Sequence, residues 1–121
     1  IIPTAYIMVD GGTDSSAATV TKTRGIKQNN SREILDTALA SEMLGMQLIY
    51  LEAGSGAKVT VGRKLISQLK KNINIPIICG GGIDSVDKLV NCWKAGCDIA
   101  VVGNALESNP ELIFDLKSTG K

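Results

Sequence analysis

One pattern occurs four times in the sequence and constrains the fold more than any other: a short apolar segment, a glycine-containing loop, and a helical pattern. The apolar segments are Ala5–Val9, Gln47–Glu52, Ile77–Cys79 and Ile99–Val102. Short apolar segments stopped by glycine are typical of parallel strands that are buried on both faces. The alternation of strands and helices predicts an α/β fold with parallel strands and right-handed crossovers.

Apolar residues at helical spacing predict four helices between and after these strands. The first spans Arg32–Leu44, where Asn30 and Glu33 have the spacing of a capping box and Gly45 ends the helix. The second predicted helix contains Val61, Leu65 and Leu69 and ends at Lys70, Lys71 and Asn72. The third contains Val86, Leu89, Val90 and Trp93 and ends at Gly96. The fourth contains Leu112, Ile113 and Leu116 and begins with Asn109 and Pro110 as its N-cap and N1 residues.

Two architectures fit this pattern and the length of 121 residues, which suits one domain. One is a small open sheet of four or five strands. The other is half of a (β/α)8 barrel, because a complete barrel has eight strands and typically about 250 residues. The chain begins with Ile1 rather than methionine, directly before the first strand, and from this we expect a fragment of a longer protein.

Composition excludes several classes of function. The net charge is +1 and only four side chains are aromatic, so the basic stripe and stacking rings of a nucleic-acid surface are missing. No apolar stretch approaches the ~20 residues of a membrane span, and the start does not read as a signal peptide. The three cysteines form no CxxC pair and histidine is absent, which argues against zinc sites, disulfide scaffolds and histidine-based nucleophilic catalysis. We therefore expect a cytoplasmic protein.

The second strand carries the most informative motif, which runs from Tyr50 to Ala57 as Tyr-Leu-Glu-Ala-Gly-Ser-Gly-Ala. Tyr50 and Glu52 are two residues apart on a strand and therefore share a face. A carboxylate is costly to bury there without a partner, so a ligand or a cation is the favoured explanation. The following Gly-Ser-Gly turn can offer backbone N–H groups to an anion. The alternative is a tight turn beside a solvated glutamate.

Glycines also end the third and fourth strands, at Gly80-Gly81-Gly82 and Gly103-Asn104. The carboxyl ends of parallel strands meet at one rim, and the last two loops of a (β/α)8 barrel often bind phosphate. We therefore expect backbone amides at this rim to bind a phosphate, although an ordinary turn also explains the glycine triplet. Asp10 ends the first strand at the same rim, where it either contacts a ligand or metal or forms an Asp-Gly turn. Asp98 lies at the opposite end and is expected to be structural.

The segments 50–57, 80–83 (Gly-Gly-Gly-Ile) and 96–104 (Gly-Cys-Asp-Ile-Ala-Val-Val-Gly-Asn) resemble geranylgeranylglyceryl phosphate synthases. These are archaeal prenyltransferases related to bacterial heptaprenylglyceryl phosphate synthases. The resemblance runs along nearly the whole chain, and it implies strands five to eight of a (β/α)8 TIM barrel. Residues 1–121 would then form the C-terminal half-barrel of a single domain whose N-terminal half is not in this chain.

The implied reaction joins sn-glycerol 1-phosphate to geranylgeranyl diphosphate through an ether bond and releases diphosphate, in archaeal membrane lipid biosynthesis. By the resemblance, Glu52 binds the glycerol hydroxyls and serves as the catalytic base. The implied substrate-binding residues are Tyr50, Glu52, Ala53, Gly54, Ser55, Gly56, Gly81, Gly82, Gly103 and Asn104. Mg²⁺ is the implied cofactor, with its ligands in the N-terminal half, so no metal ligand is assigned within this chain. The implied partners are the two substrates, the missing half-barrel, further copies of the chain and, through the lipid product, the membrane surface.

Two features depart from the family pattern. Asp84 stands where the family usually has arginine after Gly-Gly-Gly-Ile, and the polar segment Gly11–Asn30 has no family landmark, although a role in covering the prenyl groove is one expectation. Two other functions stay open. One is a different phosphate-binding barrel, an isomerase or synthase, against which the octapeptide at 50–57 argues. The other is a half-barrel that binds phosphate without catalysis or associates with itself.

Overall fold

The computed structural model describes residues 1–12 and 25–119. Strands and helices alternate along these residues as the glycine-punctuated pattern predicts. The elements are β1 (Thr4–Met8), α1 (Ser31–Met43), β2 (Leu48–Glu52), α2 (Arg63–Asn72), β3 (Ile77–Gly80), α3 (Val86–Ala95), β4 (Ile99–Val101), α4 (Asn104–Ser108) and α5 (Leu112–Ser118). None of the helices in the described ranges is long and apolar enough to cross a membrane.

The four strands form one sheet in the order β1-β2-β3-β4, and each neighbouring pair is parallel. Crossovers between parallel strands share one hand. Because the spatial order follows the chain order, the connecting helices therefore lie on the same face of the sheet. This is the arrangement of four successive units of a (β/α)8 barrel, and it confirms the predicted parallel α/β fold.

The two faces of the sheet differ because only one is covered by helices. On the covered face, Leu51 and Cys79 are buried against α1, α2 and α3. On the other face, Tyr6, Tyr50, Ile78 and Ile99 are paired in one row across the sheet. Tyr6 is 56% exposed and Ile99 49% exposed. The expectation that the strands are buried on both faces is therefore wrong for this chain, because crossovers of one hand cover one face only.

Helix α1 begins as the capping-box spacing predicts. The amide of Glu33 donates to Oδ1 of Asn30 at 3.4 Å, and Nδ2 of Asn30 donates to Oε2 of Glu33 at 2.7 Å. The buried positions of the helix are Ile34 and Ala38, and Met43 at its end is exposed. Each residue of a helix is rotated by about 100° from the one before it, so Met43, five residues after Ala38, lies on a different face of α1 from the buried positions.

The last helix begins later than predicted, and a short helix, α4, precedes it. The N–H of Asn109 donates to the carbonyl of Ala105 at 2.9 Å, so Asn109 ends α4. Helix α5 starts at Leu112, with Glu111 at its N-cap position and no side-chain cap. The prediction of Asn109 and Pro110 as the N-cap and N1 residues is wrong because Asn109 is already part of the preceding helix terminus.

The amino ends of the strands are held by Asp98. Its Oδ2 accepts the backbone N–H of Ile77 at 2.9 Å and the ammonium of Lys70 at 2.7 Å. These contacts confirm a structural role for Asp98 and give Lys70, at the end of α2, an ion-pair partner. Cys79 is buried, and a hydrogen bond with Cys97 together with burial raises the pKa of its thiol.

Candidate functional site

A cavity of about 570 Å³ opens at the carboxyl ends of β2, β3 and β4. These are the strand ends at which glycine loops were predicted to meet. The lining combines two carboxylates, several glycines, and small polar side chains from the loops and α4. The lining residues are Tyr50, Glu52, Ser55, Gly56, Ala57, Gly81, Gly82, Ile83, Asp84, Val101, Gly103, Asn104, Ala105, Ser108, Asn109 and Leu112.

Tyr50 and Glu52 form the polar pair at the strand end of the cavity. Oε1 of Glu52 accepts the backbone N–H of Gly54 at 2.9 Å, and the Tyr50 hydroxyl donates to the same carboxylate. Burial, followed by the negative charge of Glu52 and this hydrogen bond, raises the pKa of Tyr50 to about 12. Glu52 therefore has two hydrogen-bond partners within the protein, a backbone amide and a phenol.

Tyr6 extends this pair onto β1. It lies opposite Tyr50 in the register of the sheet, and the two ring centroids are 5.4 Å apart. Burial, followed by the negative charge of Glu52, raises the pKa of Tyr6. Two protonated phenols thus lie beside the carboxylate, which keeps the negative charge of this end of the cavity on Glu52 alone.

Gly80 is required by the Tyr50–Glu52 pair. A Cβ atom at Gly80 would lie 2.8 Å from Oε2 of Glu52 and 2.8 Å from the Tyr50 hydroxyl oxygen. Such distances are shorter than van der Waals contact, so a side chain at this position would displace both groups. The first residue of the triplet therefore makes room for the carboxylate, a role that the sequence pattern did not distinguish from a turn.

Gly81 and Gly82 form the floor beside the carboxylate. Gly81 has φ of +92°, and its Cβ would lie 2.7 Å from the backbone N and O of Gly54. Gly82 has φ of +74°, and its Cβ would lie 2.9 Å from the carbonyl oxygen of Ala57. Both the backbone conformation and the packing against the loop after β2 therefore exclude a side chain here.

Gly103 and Asn104 close the cavity on the side of β4. A Cβ at Gly103 would meet no atom within 4 Å, and a Cβ at Gly56 would lie 3.7 Å from Nδ2 of Asn104. The loop after β2 and the start of α4 therefore approach each other across the cavity. Backbone amides at such loops and helix starts are suited to bind an anion, since the first N–H groups of a helix have no partner within it.

Eight of the ten predicted substrate-binding residues line the cavity, and Ala53 and Gly54 do not. Ala53 is buried and its N–H donates to the carbonyl of Gly80 at 2.9 Å. The amide of Gly54 is used by Glu52. These two residues shape the loop that carries Glu52, and a direct contact between either of them and a substrate stays a prediction.

The sequence pattern did not identify Asp84, Ser108 or Asn109 as cavity residues, although each lines it. Asp84 is paired with Lys88 of α3, whose Nζ lies 3.0 Å from Oδ1 of Asp84. The carboxylate at this position is thus accompanied by a lysine. A sequence signal existed in the i, i+4 spacing of the two charges, but it does not distinguish a cavity from an exposed helix start.

Asp10 forms the turn that the sequence offered as one of its two explanations. Its Oδ1 accepts the backbone N–H of Gly12 at 2.9 Å, and Asp10 is not a lining residue of the cavity. Gln28 connects the neighbouring loops, because its Oε1 accepts the N–H of Gly62 and its Nε2 donates to Thr60. Residues 13–24 of the segment Gly11–Asn30 lie outside the described residues, so a role in covering the prenyl groove stays a prediction.

Metal-ligating side chains do not cluster among the described residues. No group of three or more carboxylate or thiol side chains that could hold a metal comes together within residues 1–12 and 25–119. At the cavity, Glu52 accepts hydrogen bonds from Gly54 and Tyr50, and Asp84 is paired with Lys88. Each of these carboxylates therefore has a partner within the protein, and neither is assigned as a ligand of Mg²⁺.

The chemistry open to this site is proton abstraction next to a bound anion. A carboxylate held by an amide and a phenol can accept a proton from a hydroxyl group. The glycine floor and the start of α4 offer main-chain groups to a phosphate a short distance away. An alcohol that carries a phosphate matches both parts of the cavity.

Comparison with known proteins agrees with this geometry. A family model described as the PcrB family matches residues 1–120. The chain is 50% identical over 108 residues to the geranylgeranylglyceryl phosphate synthase of Zunongwangia profunda, covering 89% of this chain and 46% of that protein. It is 44% identical over 109 residues to the corresponding synthase of Saccharolobus solfataricus, covering 90% and 42%.

Two solved structures show the same fold. The chain matches (S)-3-O-geranylgeranylglyceryl phosphate synthase from Thermoplasma acidophilum in complex with its substrate sn-glycerol-1-phosphate, with a TM-score of 0.89 and 31% identity over 98% of this chain and 48% of that chain. The Thermoplasma volcanium synthase gives 0.87 and 35% with the same coverage. The chain spans about half the length of the relatives that it matches, so its four units correspond to half of a (β/α)8 barrel. On this evidence the chain belongs to the PcrB family.

Proposed function

We propose that this chain provides the glycerol phosphate site of a geranylgeranylglyceryl phosphate synthase. The reaction forms an ether bond between sn-glycerol 1-phosphate and geranylgeranyl diphosphate and releases diphosphate. One observation carries the proposal: Glu52 and Tyr50 lie in the same cavity as the glycine floor of Gly81 and Gly82. The match to a synthase in complex with sn-glycerol-1-phosphate supports it.

In the proposed reaction, Glu52 accepts the proton of the glycerol hydroxyl that attacks. The hydroxyl oxygen forms a bond to the first carbon of the prenyl chain, the bond from that carbon to the diphosphate oxygen breaks, and diphosphate leaves with the electron pair. Tyr50 and the amide of Gly54 hold the carboxylate in place through their hydrogen bonds. The phosphate of glycerol 1-phosphate takes no part in bond making and serves to position the hydroxyl.

The uncovered face of the sheet supports the proposal that a second half-barrel completes the site. Tyr6 and Ile99 lie exposed on that face, and the strands β1 and β4 form the two edges of the sheet. Unpaired edges and an apolar face call for a partner. We propose that an N-terminal half-barrel pairs with both edges and supplies the prenyl diphosphate site and the Mg²⁺ ligands. A cytoplasmic location, assembly into a homo-oligomer and contact with the membrane through the lipid product belong to the same proposal.

The test is prenyl transfer by the complete barrel, formed from this chain and the complementary half. With sn-glycerol 1-phosphate, geranylgeranyl diphosphate and Mg²⁺, we expect the ether product and diphosphate in equal amounts. Glu52→Gln should lower kcat by roughly 10²- to 10⁴-fold because a general base is removed. The dissociation constant for sn-glycerol 1-phosphate should change far less, since the phosphate contacts remain. Glu107→Gln is the matched control, because Glu107 is exposed on α4 and is not a lining residue.

Two results would contradict the proposal. If the completed barrel uses neither substrate, the synthase activity is excluded. Another phosphate-binding barrel enzyme then becomes the better interpretation. Unchanged turnover in Glu52→Gln excludes Glu52 as the base, although the completed barrel would still form the product.

A further inference from the structure

We propose that Lys88 is the cation of the phosphate site and that Asp84 is the residue that positions it, an inference that rests on the proposed glycerol phosphate site. The charge of the cavity lining is the first observation behind this proposal. Its lining includes the carboxylates of Glu52 and Asp84 and no lysine or arginine. The negative charges of these two carboxylates oppose the binding of a phosphate, and a cation near the lining would offset them.

Lys88 is placed to supply the missing charge. Its ammonium lies 3.0 Å from Oδ1 of Asp84 and donates to the carbonyl of Gly82 at 3.2 Å. Asp84 and Gly82 both line the cavity, so the ammonium contacts the cavity wall at two places. An ammonium has three donors, and these two contacts leave a third for a ligand. The side chain is 34% exposed, much less than the 61% of Asp84, so it is folded against the protein.

The position of Lys88 on its helix is unusual for a lysine. It lies in the first turn of α3, where the helix dipole favours anions and disfavours cations. The other lysine of the helix, Lys94, lies in the last turn, where a cation is favoured. A lysine in the first turn therefore gains most when an anion binds beside it. This arrangement is expected if the phosphate approaches the loop that runs from Gly82 to Asp84.

Asp84 contributes to the position of the ammonium and also opposes the bound phosphate. Its carboxylate accepts from Lys88 four residues along the chain, which draws the lysine side chain back toward the cavity wall. At the same time its charge reduces the positive potential that reaches a phosphate. Because these two effects oppose each other, Asp84→Asn should change the dissociation constant for phosphate less than Lys88→Met changes it.

The experiment is a titration of the full protein with inorganic phosphate, followed by phosphorus NMR or calorimetry. Lys88→Met should raise the dissociation constant roughly tenfold through loss of a charge-assisted contact, and Lys88→Arg should restore most of the affinity. Lys94→Met, about 9 Å further along the same helix, should bind phosphate like the unsubstituted protein. The salt dependence of binding should also weaken in Lys88→Met alone, which a purely structural ion pair would not produce.

The outcomes separate this inference from the proposed function. Equal phosphate affinity in Lys88→Met and Lys94→Met, with intact circular dichroism in both, overturns the role of Lys88 and leaves the synthase proposal in place. If binding depends on Lys88 but sn-glycerol 1-phosphate binds no more tightly than inorganic phosphate, Lys88 keeps its role and the proposed substrate fails. No phosphate binding by the unsubstituted protein overturns both.

Discussion

The two faces of the sheet are built from the same strands and have opposite properties. On β2, Leu51 is fully buried against the helices, while its neighbours Tyr50 and Glu52 point to the other face and line the cavity. Successive side chains of a strand alternate between faces. This alternation places core and cavity within five residues of one strand, since the covered face contributes the core and the open face contributes polar groups that line the cavity.

The two ends of the sheet also differ from each other. At the amino ends, Asp98 ties Ile77 and Lys70 together through hydrogen bonds and an ion pair. At the carboxyl ends, Gly81 and Gly82 adopt positive φ and leave the cavity open. Side chains therefore close the sheet at the amino ends of its strands, whereas glycines without side chains leave the cavity open at the carboxyl ends.

The largest expected effect tests the covered face against the open face. Leu51→Ala should lower the free energy of unfolding by about 2–5 kcal/mol, because it leaves a cavity in a packed core. Ile99→Ala should cost less than about 1 kcal/mol, since half of that side chain is already in water. Chemical denaturation of the two variants measures both values. Similar losses would mean that the open face is packed, and the comparison would fail.

The next effect tests the glycine floor. Gly81→Ala introduces strain at φ of +92° and a clash with the backbone of Gly54, whereas Gly45→Ala introduces strain at φ of +95° with nothing within 4 Å. We expect about 1–2 kcal/mol of destabilisation for Gly45→Ala from strain alone, and roughly 1–3 kcal/mol more for Gly81→Ala from overpacking. Thermal or chemical unfolding of the pair gives the difference. If the two variants lose the same stability, the loop after β2 does not pack against Gly81 as described.

A titration of Tyr50 tests the electrostatics of the open face. Its pKa of about 12 is caused first by burial and then by the charge and hydrogen bond of Glu52. Glu52→Gln should therefore lower the pKa of Tyr50 toward its ordinary value, as read from the ultraviolet absorbance of the phenolate. Glu107→Gln should leave the titration unchanged. A raised pKa that survives in Glu52→Gln would mean that burial alone protects the phenol.

The same shift sets the direction of a pH effect on stability. The folded-state pKa of Tyr50 is raised, so the unfolded chain releases its proton first as the pH increases. The contribution of Tyr50 to stability is therefore complete below about pH 10 and is lost as the pH rises toward 12. In Glu52→Gln this alkaline loss should become smaller.

The smallest effect on stability is expected at Gly103. A methyl group there meets no protein atom, so Gly103→Ala should change the free energy of unfolding by no more than about 0.5 kcal/mol. It would instead occupy space at the cavity, and the dissociation constant for inorganic phosphate should rise. Gly45→Ala should show the reverse: a loss of stability with unchanged phosphate binding. Unchanged phosphate affinity in Gly103→Ala would place the phosphate away from the start of α4.

Much of the fold is predictable from the sequence because its signals are local. The apolar runs that end in glycine locate all four strands within one or two residues, and the side-chain cap at Asn30 and the glycine at Gly96 locate helix ends. Helix α4 was missed because it has five residues and its N-cap is Gly103, with no side-chain cap to indicate a start. Asn109 then resembled an N-cap, although its N–H closes the helix before it.

The site was predictable where one strand or one loop carries the information. The two-residue spacing of Tyr50 and Glu52 predicts a shared face, and the glycines predict the floor. The contacts that depend on distant parts of the chain were not predictable. Gln28 reaches Gly62, 34 residues away, and the amide that holds Glu52 is found only when the loop geometry is known. Patterns along a chain identify which residues lie near a site, and the three-dimensional fold decides which of them contact each other.

The order of the strands also bears on how the molecule folds. Paired residues are 44 positions apart between β1 and β2, 28 apart between β2 and β3, and 21 apart between β3 and β4. The entropy lost on closing a loop grows with its length, so the unit from β3 to β4 closes most readily and β1 joins at the greatest cost. The glycine floor and the start of α4 belong to that first unit. This end of the cavity is therefore expected to form early, before β1 brings Tyr6 beside the carboxylate.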